Sequence, residues 1–197
     1  MKQETEHHLE ILLTREQIQA RVAQLGEEIT RDYDGAGELV LAAVLRGSVY
    51  FAVDLSRQLN LPFILDFIGI SSYGRISAPE GIVRITKDLE SNIAHKNVLL
   101  LEDILDTGLT LNYLIRNLKT RNPSSLRVCT FLDMPARRIV DIPMDYCGFK
   151  LPDLFVVGYG LDYNERYRNL EVVAELQETR GKKQEAGGGK RQEDGDA

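Results

Sequence analysis

The short apolar run Val98 to Leu101 constrains the fold of this chain more than any other feature of its sequence. Polar residues follow it at once, and apolar residues recur at helical spacing from Leu111 onward. A short run without polar positions is typical of a strand buried on both faces of a parallel sheet, and the later spacing predicts a helix. We therefore expect residues 102 to 110 to form a strand-to-helix crossing, with a ligand site at the carboxyl end of the strand.

This crossing has the features of an anion site. Gly108 can adopt a positive φ angle and bring the backbone close to a ligand, and the free N–H groups of the first helical turn attract a phosphate. Three acidic residues lie in the same segment, Glu102, Asp103 and Asp106. Because carboxylates repel phosphate, we expect them to hold something else, such as ribose hydroxyls, a metal ion or the proton of a reacting group. An acidic loop without a ligand is the alternative.

The order of these residues resembles a known motif. An apolar strand, the pair Glu102-Asp103 and the run Asp106 to Thr110 resemble the phosphoribosyl pyrophosphate loop of the type I phosphoribosyltransferases, in the form found in members that use hypoxanthine and guanine. The resemblance implies that Asp106 is catalytic and accepts, or holds through a hydrogen bond, a proton of the purine imidazole. It also implies that Glu102 and Asp103 hold the ribose hydroxyls. The residues implied to bind the 5-phosphate are Thr107, Gly108, Leu109 and Thr110.

A second turn with a positive charge follows the apolar run Leu39 to Leu45, which predicts another buried strand. Arg46 supplies a fixed charge and Gly47 a flexible backbone position, so the turn can receive a diphosphate group. The Arg-Gly-Ser sequence after a strand is common by itself. The family resemblance makes it the diphosphate loop and implies a cis peptide bond between Leu45 and Arg46.

A β-hairpin is predicted by the apolar segments Phe63 to Ile70 and Ile82 to Thr86, which flank a polar stretch. By resemblance, residues 71 to 81 form the lid that closes over the reaction centre and excludes water. Ser72 and Tyr73 match the Ser-Tyr pair of that lid. Without the resemblance, the segment is an ordinary exposed hairpin.

The sequence departs from its relatives at Met134, which follows a predicted strand from Leu126 to Leu132. Relatives carry a lysine there, whose ammonium donates to the exocyclic oxygen of the purine, and a methionine side chain cannot donate. Three outcomes fit: a weakened enzyme for 6-oxopurines, an altered base preference, or compensation by a nearby donor such as Arg137. We expect the first, with Met134 lining the purine pocket.

The resemblance assigns further roles near the carboxyl end of the folded part. Phe155 matches the aromatic ring that stacks on the base, and the backbone of Val156 matches the group that reads the edge of the base. Arg168 matches a contact to diphosphate. Asp162 matches a residue that contacts magnesium through a water molecule. The residues that the resemblance implies for Mg²⁺ binding are therefore Glu102, Asp103 and Asp162. Without the resemblance, a phenylalanine in an apolar run, such as Phe155, is more often a core residue.

Composition limits the other classes of function. The formal net charge of −6 argues against broad nucleic-acid binding. Cys129 and Cys147 lack the spaced partners of a zinc site and suit a reducing compartment, no apolar run approaches membrane-spanning length, and the N-terminus is too polar for a secretory signal. We therefore expect a cytoplasmic protein without nucleic-acid or membrane partners. The resemblance implies a homodimer or homotetramer.

The sequence as a whole predicts an α/β domain over residues 1 to 178, followed by a disordered polar tail at 179 to 197. The expected architecture is a mainly parallel twisted sheet flanked by helices, with a lid hairpin and a small base-binding hood. The expected activity is transfer of ribose 5-phosphate from phosphoribosyl pyrophosphate to hypoxanthine or guanine. The rivals are a phosphoribosyltransferase for xanthine, adenine or a pyrimidine, and a regulator that binds the donor without catalysis.

Overall fold

The computed structural model describes residues 7 to 73 and 82 to 178. In chain order the elements are β1 (His7–Leu13), α1 (Arg15–Tyr33), β2 (Leu39–Leu45), α2 (Val49–Gln58), β3 (Phe63–Tyr73), β4 (Ile82–Lys87), β5 (Asn97–Leu105), α3 (Leu109–Lys119), β6 (Ser125–Asp133), a 3-10 turn (Pro135–Arg137), β7 (Tyr146–Lys150), β8 (Val156–Val157) and β9 (Val173–Glu178). None of the helices in these two ranges is long and apolar enough to cross a membrane.

The main sheet has six strands in the order β4-β3-β2-β5-β6-β7. The pairs β2/β3, β2/β5, β5/β6 and β6/β7 are parallel, and β4 joins the edge antiparallel to β3. This arrangement confirms the predicted α/β class with a mainly parallel sheet. The carboxyl ends of β2, β5 and β6 therefore meet at one edge, which is where the candidate site lies.

Both faces of the central strands are buried, which explains why their sequences are apolar without interruption. On one face, alternate residues such as Leu41 and Leu101 pack with α1 and α2. On the other, Val40 and Leu100 pack with α3 through residues such as Leu114. Because successive side chains of a strand point to opposite faces, a strand covered on both sides has no position for an exposed polar residue.

Helix α1 begins as its sequence predicts. The Thr14 hydroxyl accepts from the backbone N–H of Gln17 at 3.3 Å, and the Gln17 side chain accepts from the backbone N–H of Thr14 at 2.8 Å. This capping box satisfies two N–H groups that the helix itself leaves free. The buried face of α1 carries Ile18, Val22, Leu25 and Ile29, which recur at the helical spacing of three to four residues.

A second, three-stranded antiparallel sheet forms a small hood, with the order β1-β9-β8. In this sheet β1, the first described strand of the chain, pairs with β9, the last one. The hood meets the main domain through backbone contact: a Cβ atom built on Gly160 would lie 1.9 Å from the carbonyl oxygen of Gly47. Glycine is required there because no other residue allows such a close approach.

Strand β5 is longer than the sequence indicated. It continues through Glu102 and Asp103 to Leu105, and its pairing with β6 extends to Leu105 opposite Asp133. The expectation that the strand ends at Leu101, with residues 102 to 110 as the crossing, was wrong because acidic residues were taken as the end of a buried element. The crossing is shorter, and the acidic pair is held by a regular strand.

The predicted hairpin is present as β3 and β4, with Ser72 opposite Val83 and Tyr73 opposite Ile82. Residues 74 to 81, which contain most of the predicted lid, lie outside the described residues, as do the tail at 179 to 197 and residues 1 to 6. The roles assigned to the lid and the tail stay predictions.

Candidate active site

A tight turn joins β5 to α3 and presents the first helical turn to the sheet edge. Gly108 has a φ of 79°, and a Cβ atom on it would lie 2.4 Å from the carbonyl oxygen of Val140. Only glycine meets both conditions without strain. The carbonyl oxygen of Thr107 faces away from the site, because it accepts from the N–H groups of Ile139 and Val140, both at 3.0 Å.

The amides of this turn are available to a ligand. Gly108 is the N-cap residue of α3, and no side chain caps the helix. Within the described ranges, the N–H groups of Thr110 and Leu111 have no hydrogen-bond acceptor, and the N–H of Leu109 has only a 3.5 Å contact to the Thr107 hydroxyl. Free N–H groups at the positive end of a helix dipole form a site for a phosphate group.

Glu102 is a buried carboxylate at the centre of the site. The residue is 9% exposed, and its Oε2 atom is buried without a hydrogen-bond partner among the described residues. Burial, and then the nearby Asp103 carboxylate, raise the pKa of Glu102 well above its ordinary value. A buried acceptor without a donor is costly in the free protein, so it indicates a ligand group that is absent here.

Asp103 connects the two loops of the site. Its Oδ1 atom accepts from the N–H of Ile104 at 2.9 Å, and a Cβ atom on Gly47 would lie 1.4 Å from its Oδ2 atom. Burial raises the pKa of Asp103, and hydrogen bonds to its carboxylate oppose that rise. The absence of a side chain at Gly47 is therefore what lets the acid of β5 reach the loop that follows β2.

Asp106 lies on the wall of a cavity of about 250 Å³ that opens between the main sheet and the hood. Its Oδ1 atom accepts from the N–H of Thr107, which orients the carboxylate. The full lining is Asp103, Ile104, Asp106, Arg137, Leu154, Phe155, Val156, Leu161 and Asp162. The cavity thus brings together acids of the crossing and aromatic and apolar groups of the hood, which are far apart in sequence.

Phe155 and Val156 belong to the apolar part of this cavity, together with Ile104, Leu154 and Leu161. The ring of Phe155 is 46% exposed, and its only described ring partner is Tyr163, edge to face at 5.7 Å between centroids. An aromatic face that is open toward a polar cavity is suited to stacking on a planar heterocycle. Val156 lies in β8, next to Phe155, so the backbone at this position is fixed by pairing with β9.

Met134 lies in the core of the domain, whereas the sequence analysis expected it to line the purine pocket. It is fully buried, belongs to the core cluster on the α1 and α2 side of the sheet, and does not line the cavity. Its apolar side chain is more stable in the core than beside the carboxylates of the cavity. The role of Met134 in purine binding stays a prediction. Arg137, one turn further along, reaches the cavity instead.

The two predicted diphosphate arginines lie close to acidic residues. Arg46 pairs with Glu165 at 2.7 Å, and the peptide bond between Leu45 and Arg46 is cis, as the resemblance implied. Arg168 pairs with Asp162 at 2.7 Å and donates to the carbonyl oxygen of Gly160 at 2.7 Å. Its Nε atom is buried without a partner in the described structure. These ion pairs therefore orient both guanidinium groups near the site, and the Nε atom of Arg168 can still donate a hydrogen bond.

The predicted metal residues do not form a complete site by themselves. Over residues 7 to 73 and 82 to 178, no three His, Cys, Asp or Glu side chains are grouped as they would be to hold a metal ion. Magnesium is usually held by one or two carboxylates together with substrate phosphates and water. The partnerless oxygen of Glu102 and the adjacent Asp103 fit such a shared site, which needs a bound substrate to be completed.

Arg138 is a site residue that the sequence analysis missed. Its Nε atom donates to the carbonyl oxygen of Asp106 at 2.9 Å, its Nη2 atom donates to that of Leu105 at 3.2 Å, and it pairs with the buried Asp133. Arg138 therefore fixes the backbone that carries Asp106. The sequence signal for this role is that Arg138 follows Asp133, an acidic residue at the end of a buried strand.

The comparison with known proteins follows this geometry. Residues 8–164 match the family model described as the phosphoribosyl transferase domain. This chain belongs to that family. The match includes the turns after β2 and β5 and the residues Phe155, Val156 and Asp162, and it ends four residues before Arg168.

Individual members of the family are similar over most of the chain. The chain is 51% identical over 171 residues to a hypoxanthine-guanine phosphoribosyltransferase of Mycobacterium avium, which covers 84% of this chain and 84% of that protein. It is 43% identical over 171 residues to a hypoxanthine phosphoribosyltransferase of Escherichia coli, covering 86% of this chain and 96% of that protein. A crystal structure of a hypoxanthine-guanine phosphoribosyltransferase from Bacillus anthracis gives a TM-score of 0.81 at 44% identity, covering 87% of this chain and 99% of that one.

A larger cavity, of about 590 Å³, lies at the opposite edge of the sheet. It is lined by the first residues of β2 and β3, including Leu39 and Phe63, and by Tyr33 at the end of α1. In a parallel sheet, ligands bind outside the carboxyl ends of the strands, and this cavity faces the amino ends. Its size alone does not make it the active site.

Proposed function

We propose that this chain transfers ribose 5-phosphate from phosphoribosyl pyrophosphate to hypoxanthine or guanine, giving the nucleoside monophosphate and diphosphate in purine salvage. The observation that carries the proposal is the cavity in which Asp106 and Asp103 lie with Phe155, together with the turn of free α3 amides that directly follows Asp106 in the chain. The names of the similar proteins support the same reaction.

The 5-phosphate of the donor is proposed to bind at Thr107, Gly108, Leu109 and Thr110. Free N–H groups, the helix dipole and two hydroxyl groups favour a dianion at this turn. Because the turn is fixed by Arg138 and by the bonds to the Thr107 carbonyl oxygen, it is already arranged before the substrate binds. Little reorganisation energy is then required on binding.

Glu102 and Asp103 are proposed to accept hydrogen bonds from the ribose hydroxyls. The reaction breaks the bond between the anomeric carbon and diphosphate, and positive charge develops on the sugar ring. Two carboxylates beside the ring stabilise that charge more strongly in a buried site than they could in water. The ribose hydroxyls would also supply the donor that the Oε2 atom of Glu102 lacks.

Asp106 is proposed to accept the proton on the imidazole nitrogen that does not react, or to hold it through a hydrogen bond. Either interaction increases the electron density on the nitrogen that attacks the sugar. Phe155 would stack on the base and the backbone at Val156 would read its edge. Both line the cavity together with Asp106, as this role requires.

The leaving diphosphate is proposed to contact Arg46, Gly47 and Arg168. Mg²⁺, when bound, neutralises charge on the leaving group, with Glu102, Asp103 and Asp162 as the nearby carboxylates. The side chains of Ser72 and Tyr73 lie outside the described residues, so their proposed role in the lid rests on the resemblance alone.

A phosphoribosyltransferase with a different base preference is the second candidate, because Met134 supplies no donor and is buried in the core. A homodimer or homotetramer is expected from the family. A cytoplasmic location is expected from the two free cysteines, Cys129 and Cys147, which suit a reducing compartment.

Diphosphate release tests the function, with hypoxanthine, guanine, xanthine, adenine and uracil each supplied with phosphoribosyl pyrophosphate and Mg²⁺. Turnover with a 6-oxopurine is expected. Turnover only with another base would favour the second candidate, and donor binding without turnover on any base would identify a regulator.

The role of Asp106 is tested by Asp106→Asn, which keeps the size of the side chain and removes its charge. We expect donor affinity to change little and kcat to fall by about a hundredfold or more, the usual contribution of a general base. Unchanged turnover would refute the role of Asp106.

A further inference from the structure

The candidate base cavity contains one cationic side chain among the described residues that line it, that of Arg137. It lies in the 3-10 turn directly after β6, where its backbone N–H donates to the carbonyl oxygen of Met134 at 3.1 Å. The other polar side chains of the lining are the carboxyl groups of Asp103, Asp106 and Asp162, whose oxygens accept hydrogen bonds.

The guanidinium group of Arg137 is oriented but not fully used. Its Nε atom pairs with Asp153, and its Nη2 atom donates to the carbonyl oxygen of Leu154 at 3.3 Å. Its Nη1 atom donates to no other residue in the described ranges. Asp153 and Leu154 directly precede Phe155, so the guanidinium is tied to the same short segment that carries the aromatic ring.

A 6-oxopurine and a 6-aminopurine differ at two neighbouring positions of the ring edge: N1, which is protonated only in the 6-oxopurine, and the 6-substituent, which decides whether a guanidinium can donate to it. The 6-oxopurine presents a carbonyl oxygen, which accepts, and the 6-aminopurine presents an amino group, which donates. A guanidinium can donate to the carbonyl, but it would face the amino group donor to donor. The fully buried Met134 supplies no hydrogen bond to either base.

We propose that Arg137 donates a hydrogen bond to the 6-oxo group of the bound purine and thereby selects 6-oxopurines. This assignment rests on the proposed function and adds a specificity residue to it. The ion pair with Asp153 holds the guanidinium plane, and the Nη1 edge is the donor. A charge-assisted hydrogen bond of this kind changes binding by about ten- to a hundredfold.

Nucleotide binding tests the proposal without depending on turnover. Inosine 5′-monophosphate and purine riboside 5′-monophosphate differ at the 6-oxo group and at the adjacent N1, which is protonated only in inosine, and titration calorimetry gives the Kd of each. For the native protein we expect the inosine nucleotide to bind at least about ten- to a hundredfold more tightly. Arg137→Met should reduce this difference by about ten- to a hundredfold and leave the Kd of the purine riboside nucleotide unchanged, and Arg137→Lys should retain part of it.

Arg57→Met is the matched control, since Arg57 is an exposed arginine paired with Asp54 on α2, away from the cavity. It should bind both nucleotides as the native protein does. Equal weakening of both nucleotides by Arg137→Met would show that Arg137 only holds the hood segment, and would overturn the proposal. So would a native protein that binds the two nucleotides equally, a result that requires no variant to fold.

The failure of this proposal is distinguishable from failure of the proposed function. A native protein that releases diphosphate with hypoxanthine, but whose Arg137→Met variant keeps the full preference for the 6-oxo nucleotide, retains the function and excludes Arg137 from base recognition. A native protein that binds neither nucleotide and releases no diphosphate with any base overturns both.

Discussion

The buried Glu102 carboxylate should make the ligand-free protein less stable than it would be with a neutral side chain. We expect Glu102→Gln to raise the stability of the free protein at pH 8, because glutamine is similar in shape and its amide can donate to Asp103. The Oε2 atom of Glu102 is buried without a partner, and its neighbour carries the same charge. Leaving a buried polar group unpaired costs about 1 to 3 kcal/mol. For a chain of this size, each kcal/mol changes Tm by about 2 to 4 °C, so the expected increase is about 2 to 12 °C.

The effect should depend on pH in a defined direction. The folded-state pKa of Glu102 is raised above the value of 4.5 expected for an ordinary glutamate. Below that value the side chain is protonated in both the folded and unfolded states, and the native protein carries no penalty. As pH rises above it, the unfolded chain ionises first, so the native protein loses stability until the folded pKa has been passed. The difference in Tm between Glu102→Gln and the native protein should therefore be small near pH 4.5 and should grow toward pH 8.

Thermal unfolding followed by circular dichroism between pH 4.5 and pH 8 measures this difference. Glu27→Gln is the matched control, because Glu27 is an exposed glutamate of α1, and its Tm should stay within about 2 °C of the native value at each pH. Phosphoribosyl pyrophosphate with Mg²⁺ should reverse the order, because it stabilises the native protein more than a variant that binds it weakly. A Glu102→Gln protein that is less stable than native at pH 8, or whose gain is largest near pH 4.5, would refute this reasoning.

Two further substitutions test the geometry of the site. Gly108→Ala should destabilise the protein by about 1 to 3 kcal/mol in urea unfolding and raise the KM for the donor, because the new methyl group meets a carbonyl oxygen at a positive φ. Gly35→Ala has a similar φ but open space around it, so it should carry only the cost of the positive φ, about 1 to 2 kcal/mol, and an equal cost at both positions would count against the close contact. The double variant Met134→Lys with Arg137→Met should regain part of the hypoxanthine kcat/KM lost by Arg137→Met, since an ammonium group on a long chain can extend toward the same cavity. No gain would mean that the side chain at position 134 stays sealed in the core.

The parts of the fold that could be predicted from sequence have local causes. The buried strands β2 and β5 follow from apolar runs, and the start of α1 follows from Thr14 and Gln17, which interact three residues apart. The loop after β5 could be recognised because its function requires acidic residues, a glycine and a helix start in a fixed order. Each of these signals is carried by a few residues that are close together in the sequence, so it can be recognised without knowledge of the fold.

The features that sequence reasoning did not give depend on contacts between distant segments. The hood was expected only from the family resemblance, because it pairs β1 with β9, which lie at opposite ends of the described chain, and neither strand has a strong signal alone. The length of β5 depends on pairing with β6, which holds Glu102 and Asp103 in a strand despite their charge. The burial of Met134 depends on the core beneath it. Propensity and pattern describe a segment, whereas these outcomes depend on what the segment packs against.

The contact of Gly160 with Gly47 joins the segment after β8 to the loop after β2 through main-chain atoms alone. The Asp103 side chain also packs against Gly47 at this contact. Side chains can change rotamer to absorb a small shift, but peptide groups in direct contact cannot. The segment after β8 and the loop after β2, which we propose to bind the base and the leaving group, are therefore expected to move together.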